Sequence, residues 1–134
     1  YTAAYSSGGA RSRVISEIEN AIILNFSDSE FDLEAYLRSY PFSYDYLKKL
    51  FKNEIGVTPH KYLTDKRLQA AADQLSTSYD GSNVTEVAHL CGFKEPLYFS
   101  RLFKKRYGVA PSYYVEAKSR GIITEEDMKI MLDS

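Results

Sequence analysis

Apolar side chains recur at intervals of three and four residues along most of this chain, a spacing that predicts amphipathic α-helices. The pattern is clearest over residues 84–107. A short helix there ends at Gly92, because glycine readily adopts the left-handed conformation that closes a helix. Pro96 then suits the first position of a longer helix, where its missing N–H costs nothing. Asn83 and Glu86 have the spacing of a capping box before the first helix.

Each of these two helices concentrates its apolar residues on one face. They are Val84, Val87, Ala88 and Cys91 in the first helix, and Phe99, Leu102, Phe103 and Tyr107 in the second. The opposite face of the second helix carries cations and hydrogen-bonding groups. Such a helix fits the major groove of DNA, although a merely solvated face would show the same pattern.

The same signals predict further helices on both sides of this stretch. We expect them over residues 13–26, 33–40, 44–55, 59–76 and 111–120. Asp32 and Ser43 are suited to cap the second and third of these helices, and Pro59 to open the fourth.

The chain also repeats itself at an offset of 52 residues. Gly-Val-x-Pro-x-x-Tyr begins at Gly56 and again at Gly108, and Leu-Phe-Lys begins at Leu50 and again at Leu102. Coincidence is a poor explanation for two such matches at one offset. We therefore predict an all-α fold in which two helix-turn-helix subdomains are joined by a long linker helix.

This repeat divides the chain into five expected parts. They are a flexible tail or interdomain linker (1–12), a first helix-turn-helix subdomain (13–58), the linker helix (59–76), a second helix-turn-helix subdomain (77–120) and a C-terminal helical extension (121–134). The linker helix would span roughly 25 Å, so it could hold two recognition helices about one DNA turn apart. The extension could serve in packing, in a dimer contact or in regulation, of which packing is the favoured role.

A net charge of −1, taken by itself, argues against nucleic-acid binding. The charge is unevenly distributed, however, because residues 43–118 hold twelve Lys or Arg against eight Asp or Glu. Local charge matters more than the total, since salt screens interactions beyond about 10 Å. The excess of cations coincides with the two predicted helix-turn-helix units.

Little in the chain indicates catalysis or metal binding. His60, His89 and the lone Cys91 lack the spacing of a zinc site, and the sequence contains neither a phosphate loop nor a nucleophile elbow. No apolar run approaches the roughly 18 residues of a membrane span. We therefore expect no enzyme activity, no cofactor, no metal and no membrane partner, and a cytoplasmic location.

Residues 84–114 carry the pattern V-T-E-V-A-x-x-C-G-F-x-x-x-x-Y-F-S-R-L-F-K-K-x-x-G-x-x-P-x-x-Y, which closely resembles the second helix-turn-helix of the AraC/XylS family of bacterial transcription regulators. A weaker match covers residues 32–75. The resemblance implies the C-terminal DNA-binding region of a regulator, with recognition helices over 44–55 and 96–107 in successive major-groove segments of promoter DNA. It also implies RNA polymerase as a partner, and an N-terminal sensor or receiver domain in the full-length protein.

The first unit departs from the family pattern at two positions. Leu37 stands where the family commonly has a small residue between the two helices, and Pro41 where it commonly has the turn glycine. Leu37 needs more space between the helices, and Pro41 fixes φ near −65°. We therefore expect a tilted first unit with weaker base reading.

The outward positions of both recognition helices provide candidate DNA contacts. For the bases we predict Asp45, Lys48, Lys49, Pro96, Leu97, Tyr98, Ser100 and Arg101. For the phosphate backbone we predict Ser43, Tyr44, Lys52, Glu95, Lys104 and Lys105. Arg101 is the only arginine on either face, and its planar fork can bond O6 and N7 of one guanine. The alternative is a helical interaction module whose basic faces bind an acidic protein partner.

Overall fold

The computed structural model describes residues 2–77, 83–119 and 130. The predicted loop over 78–82 and the predicted extension over 121–134, apart from residue 130, lie outside this part. All regular elements in the described residues are helical, with no strand among them. In chain order they are α1 (Thr2–Asn25), α2 (Leu33–Arg38), α3 (Tyr44–Ile55), α4 (Pro59–Leu75), α5 (Val84–Leu90), α6 (Pro96–Tyr107) and α7 (Pro111–Ser119). The all-α prediction is confirmed.

Local capping explains where α3 begins and where both α3 and α6 end. The Ser43 hydroxyl accepts a hydrogen bond from the N–H of Tyr46 at 3.1 Å and so caps α3. Gly56 and Gly108 end α3 and α6 at φ values of 103° and 84°, which non-glycine residues rarely adopt. The bounds of both helices agree with the sequence prediction.

The start of α5 corrects the predicted capping box. Asn83 makes no side-chain capping hydrogen bond, and its backbone lies at φ −100° and ψ 14°. An N-cap residue normally has an extended backbone that aims its side chain at the N–H groups of the first turn. The spacing of Asn83 and Glu86 fits a capping box, but the backbone of Asn83 does not.

The N-terminal segment is also different from the expectation. The expected tail or linker over 1–12 is helical from Thr2 onward, since α1 extends back over it. Adding a residue to an existing helix is much easier than nucleating one, and Ala3, Ala4 and Ala10 are strong helix formers. The predicted five-part division as a whole remains a prediction.

The chain forms two compact units, whose main division lies between Asp65 and Lys66 inside α4, and the short segment Ser27–Ser29 belongs to the second unit. The core of the first unit combines α1, α2, α3 and the beginning of α4. Its buried residues are Ile15, Ile18, Ile22, Leu33, Leu37, Leu47, Phe51 and Leu63. The rest of α4 therefore belongs to a different core.

The core of the second unit combines the end of α4 with α5, α6 and α7. Its buried residues are Leu68, Ala71, Ala72, Leu75, Val87, Ala88, Cys91, Phe93, Phe99, Phe103, Tyr107, Tyr114 and Val115. The ring of Phe103 is central, with centroids of Phe99 and Tyr107 at 5.7 Å and 4.7 Å. Aromatic contacts at these distances add to the stability that burial alone provides.

Two tyrosine–glutamate hydrogen bonds tie α1 to the rest of the first unit. The Tyr40 hydroxyl donates to a Glu17 carboxylate oxygen at 2.8 Å, and the Tyr62 hydroxyl donates to one of Glu19 at 2.7 Å. Partial burial and the glutamate together raise the pKa of Tyr62 to about 12. Both tyrosines therefore stay protonated donors at neutral pH.

Cys91 and the other potential ligands provide no reactive or metal-binding centre in the described structure. Cys91 is buried, and burial raises the pKa of its thiol to about 11, so it remains the unreactive thiol at neutral pH. Among the described residues, no three His, Cys, Asp or Glu side chains are grouped so that they could hold a metal ion. None of the helices in the same residues is long and apolar enough to cross a membrane.

Candidate nucleic-acid interface

The second unit presents the start of α6 through a closely packed turn. Gly92 adopts φ 97°, which allows the chain to fold back so that the N–H of Phe93 donates to the carbonyl of Ala88 at 2.9 Å. Phe93 is then only 4% exposed and packs against Phe99, with ring centroids 5.0 Å apart. The turn is therefore held in place both by a backbone hydrogen bond and by the packing of a buried side chain.

His89 contributes to this turn in a way that the sequence did not reveal. Its Nδ1 lies 3.1 Å from the carbonyl oxygen of Phe93. A carbonyl oxygen can only accept, so Nδ1 carries the hydrogen and donates. His89 thus closes the turn ahead of α6, although its side chain lies on the exposed side of its helix. The spacing of four residues between His89 and Phe93 is the only signal that could have indicated this contact.

The outward face of α6 gathers most of the predicted contacts of the second unit. Phe99 and Phe103 are buried on its inner face. The exposed residues on the other side are Leu97, Tyr98, Arg101, Lys104 and Lys105. Pro96 and Ser100 are half-buried at the border between the faces, and Glu95 precedes the helix with an exposed side chain and no capping hydrogen bond of its own.

The turn of the first unit has a different structure. In this earlier part of the repeat the offset is 51 residues, so Pro41 stands where the second unit has Gly92, and no residue in this turn has a positive φ. Phe42, the counterpart of Phe93, is 46% exposed and packs against Tyr46 on the surface, with ring centroids 5.9 Å apart. The exposed pair of Phe42 and Tyr46 was not among the predicted contacts.

The outward face of α3 brings together Asp45, Lys49 and Lys52, all exposed, with Ser43 exposed just before the helix. Lys48 and Tyr44 are half-buried because they contact one another: the Lys48 ammonium lies 5.0 Å from the centroid of the Tyr44 ring. Contacts of this kind between a cation and an aromatic ring are attractive. Lys48 is therefore less available than its position on the helix predicts.

A second cation, Arg38, lies over the same ring and was missed by sequence reasoning. Its guanidinium carbon is 4.5 Å from the centroid of Tyr44, while its Nε donates to the carboxylate of Glu34 at 3.1 Å. Burial, followed by the charge of Glu34, raises the pKa of the Tyr44 hydroxyl. The pairing of Arg38 with Tyr44 depends on the path of the turn between them, which no local pattern encodes.

The two outward faces are therefore cationic. In the described part of the chain, no ion pair involves Lys49 or Lys52 on α3, or Arg101, Lys104 or Lys105 on α6. Exposed cations without a carboxylate partner on the same surface attract a polyanion such as DNA.

Comparison with known proteins agrees with this arrangement. A family model described as a helix-turn-helix domain matches residues 37–117. The chain belongs to the AraC/XylS family of transcription regulators. The matched segment runs from the end of α2 to α7 and includes both α3 and α6. The family match and the transcription regulators among its relatives support a role in DNA-binding transcription regulation, and the protein-interaction alternative is not favoured.

Two curated relatives illustrate the match in sequence. The raffinose operon transcriptional regulatory protein RafR of Pediococcus pentosaceus is 42% identical over 80 residues, which are 60% of this chain and 27% of that protein. The HTH-type transcriptional activator RhaS of Yersinia pestis is 43% identical over 65 residues, 48% of this chain and 23% of that protein. The chain thus spans about a quarter of the length of these relatives.

Two solved structures illustrate the match in fold. The C-terminal domain of AraT, a response regulator from Geobacillus stearothermophilus, has a TM-score of 0.69 and 31% identity, covering 84% of this chain and 88% of that one. The C-terminal domain of the two-component response regulator yesN from Fusobacterium nucleatum has a TM-score of 0.68 and 31% identity, covering 77% of this chain and 98% of that one. The all-helical fold of this chain is thus similar to that of C-terminal domains of response regulators.

Proposed function

We propose that this chain binds a bacterial promoter with both α3 and α6, each of which enters one of two successive major-groove segments. The observation that supports this most strongly is the repetition of the cationic face. Lys49 and Lys52 on α3 correspond to Arg101 and Lys104 on α6 at the same offset of 52 residues, and all four are exposed. The second helix-turn-helix unit is therefore a counterpart of the first in charge as well as in fold.

The two helices differ in how they would read bases. Arg101 can donate two hydrogen bonds in one plane to O6 and N7 of guanine. Lys49 offers a flexible point charge, and Lys48 is held against the Tyr44 ring, so both discriminate less. Asp45 can accept from N4 of cytosine, and it repels phosphate when the sequence is wrong. Base discrimination is therefore concentrated in α6.

Backbone contacts would fix the register of both helices. The Ser43 hydroxyl already accepts from the N–H of Tyr46, but its own hydrogen remains available to a phosphate oxygen. Lys52, Lys104 and Lys105 offer ammonium groups to the phosphates along each groove. The Tyr44 hydroxyl and the main-chain N–H groups beginning at Glu95 complete the proposed set.

Selection of bound duplexes from a random pool tests the whole proposal. We expect one consensus with two sub-sites about one helical turn apart, and binding that weakens with salt. Scrambled duplex should compete poorly for binding, and an acidic polypeptide should not displace the bound duplex. Inserting about 5 bp between the sub-sites should abolish tight binding. Indifference to that insertion would contradict simultaneous reading by α3 and α6.

The proposal extends to the full-length regulator. Because both solved structures described above are C-terminal domains of response regulators, we propose a receiver domain N-terminal to α1, with a ligand-binding sensor domain as the alternative. RNA polymerase is the proposed protein partner at the promoter, and the cytoplasm is the proposed location. Transcription of the selected promoter by purified RNA polymerase should change when the full-length regulator is added. No change would remove the polymerase from the proposal.

A further inference from the structure

The start of α6 exposes two large apolar side chains. Leu97 is 74% exposed and Tyr98 is 55% exposed, whereas Phe99 and Phe103 behind them fill the core. A single exposed leucine needs no explanation. The position of Leu97 is more informative, because Arg101 follows it by four residues and so lies on the same side of the helix, one turn further on.

The repeat places Leu97 at the same helix position as a polar residue of the first unit. At an offset of 52 residues, Leu97 corresponds to Asp45 on α3, and Tyr98 corresponds to Tyr46. Asp45 can take part in hydrogen bonding to a base edge, and Leu97 cannot. If Leu97 contributes to recognition, its partner must therefore be an apolar group on the floor of the groove.

The major groove offers one such group. Thymine presents its C5-methyl there, whereas cytosine carries only a hydrogen at C5 and the purines present mainly hydrogen-bonding groups. A protein surface is a poorer occupant for this face, because Arg101, Lys104 and Lys105 are exposed on it and favour a polyanion. Charge and apolar surface together thus fit a thymine-containing groove.

We propose that Leu97, flanked by the Tyr98 ring, contacts the C5-methyl of a thymine in the second sub-site. The inference rests on the proposed function and identifies one of the bases that α6 would read. Four residues of helix rise about 6 Å, which places this thymine one to two base pairs from the guanine that Arg101 reads. The second helix thereby reads an apolar group and a hydrogen-bonding edge in adjacent positions.

Deoxyuridine substitution isolates the methyl group, because uracil keeps every hydrogen-bonding group of thymine. Each thymine of the selected duplex would be replaced in turn and the affinity of the whole chain measured. We expect one position in the second sub-site to weaken binding about fourfold, the effect of losing one buried methyl. Replacement of thymines facing Asp45 in the first sub-site should leave the affinity unchanged.

Variants assign the effect to Leu97. Leu97→Ala should bind the thymine duplex more weakly and should lose its preference for thymine over uracil at that position. Leu97→Met, which keeps an apolar side chain of similar volume, should retain the preference. Leu24→Ala is a matched control, because Leu24 is 80% exposed on α1 and takes no part in the proposed interface.

The outcomes separate this inference from the proposed function. If no discrete duplex is bound, the proposed function itself fails. If binding is tight and sequence-specific while every thymine can be replaced by uracil without loss, only the methyl contact is overturned. Retention of the full preference by Leu97→Ala would also overturn it, since another side chain would then contact the methyl.

Discussion

The two helix-turn-helix units share a sequence repeat, but the turns between their helices differ in structure. In the second unit, Ala88 and Gly92 let the chain fold tightly, so that Phe93 is buried. In the first unit, Leu37 is fully buried between the helices while Phe42 remains on the surface. Proline cannot adopt the positive φ of glycine, so Pro41 prevents the turn that would bring Phe42 inward.

Different neighbouring helices compensate for these turns. In the first unit, α1 packs on α3, and Glu17 and Glu19 on α1 accept hydrogen bonds from Tyr40 and Tyr62. In the second unit, α7 packs on α6, and Tyr114 on α7 lies against Phe103 with ring centroids 5.5 Å apart. A repeated recognition motif can thus be supported from before it or from after it in the chain.

The largest expected effect on stability comes from substituting the residue that packs between the two helices of each unit. This residue is Leu37 in the first unit and Ala88 in the second. Leu37→Ala should lower the free energy of unfolding by about 2–5 kcal/mol, because it leaves a cavity in a closed core. Ala88→Leu should lower it by about 1–3 kcal/mol through overpacking. Hydrogen exchange would show the loss of protection in α2 and α3 for the first variant, and in α5 and α6 for the second. A stabilised Leu37→Ala protein would mean that Leu37 strains the first unit.

The turns themselves should respond less strongly. Gly92→Ala should lower the free energy of unfolding by about 1–2 kcal/mol, since Gly92 has a φ of 97° that L-residues resist. Pro41→Ala should lower it by no more than about 1 kcal/mol, mainly by giving the unfolded chain more freedom. Chemical denaturation of both variants measures the contrast. Equal losses would show that the two turns are energetically alike.

The smallest effect concerns phosphate contacts and should be the same in both units. Lys52→Ala and Lys104→Ala should each weaken binding about equally on all sequences, and each should reduce the salt dependence by about one charge. Affinities measured over a series of salt concentrations test this expectation. A loss confined to one DNA sequence would reassign the lysine to base reading.

Helix positions were largely predictable because periodicity and caps are local. Ser43, Gly56, Pro96 and Gly108 determined the bounds of α3 and α6 from the sequence alone. The cap at Asn83 was wrong because a cap depends on backbone angles as well as on residue type. The start of α1 was also missed, since a Gly-containing segment can continue a helix that has already been nucleated.

The sequence predicted which helix faces point outward in the candidate interface, but not which side chains contact one another there. Helical spacing correctly separated outward Arg101 and Lys104 from buried Phe103. The contacts of Arg38 and Lys48 with Tyr44 depend on how the turn places one helix beside another. Such distances are set by tertiary packing, which a hydrophobic pattern does not specify.

The difference in base reading between the two units is tested most directly by Arg101→Ala and its repeat counterpart, Lys49→Ala. Affinities would be measured on the selected duplex and on duplexes altered at single base pairs. Arg101→Ala should cost about 1–3 kcal/mol on the selected duplex and relax the preference at one guanine, whereas Lys49→Ala should cost less and change base preference less. Intact preferences in Arg101→Ala, together with their loss in Lys49→Ala, would contradict the assignment of specificity to α6.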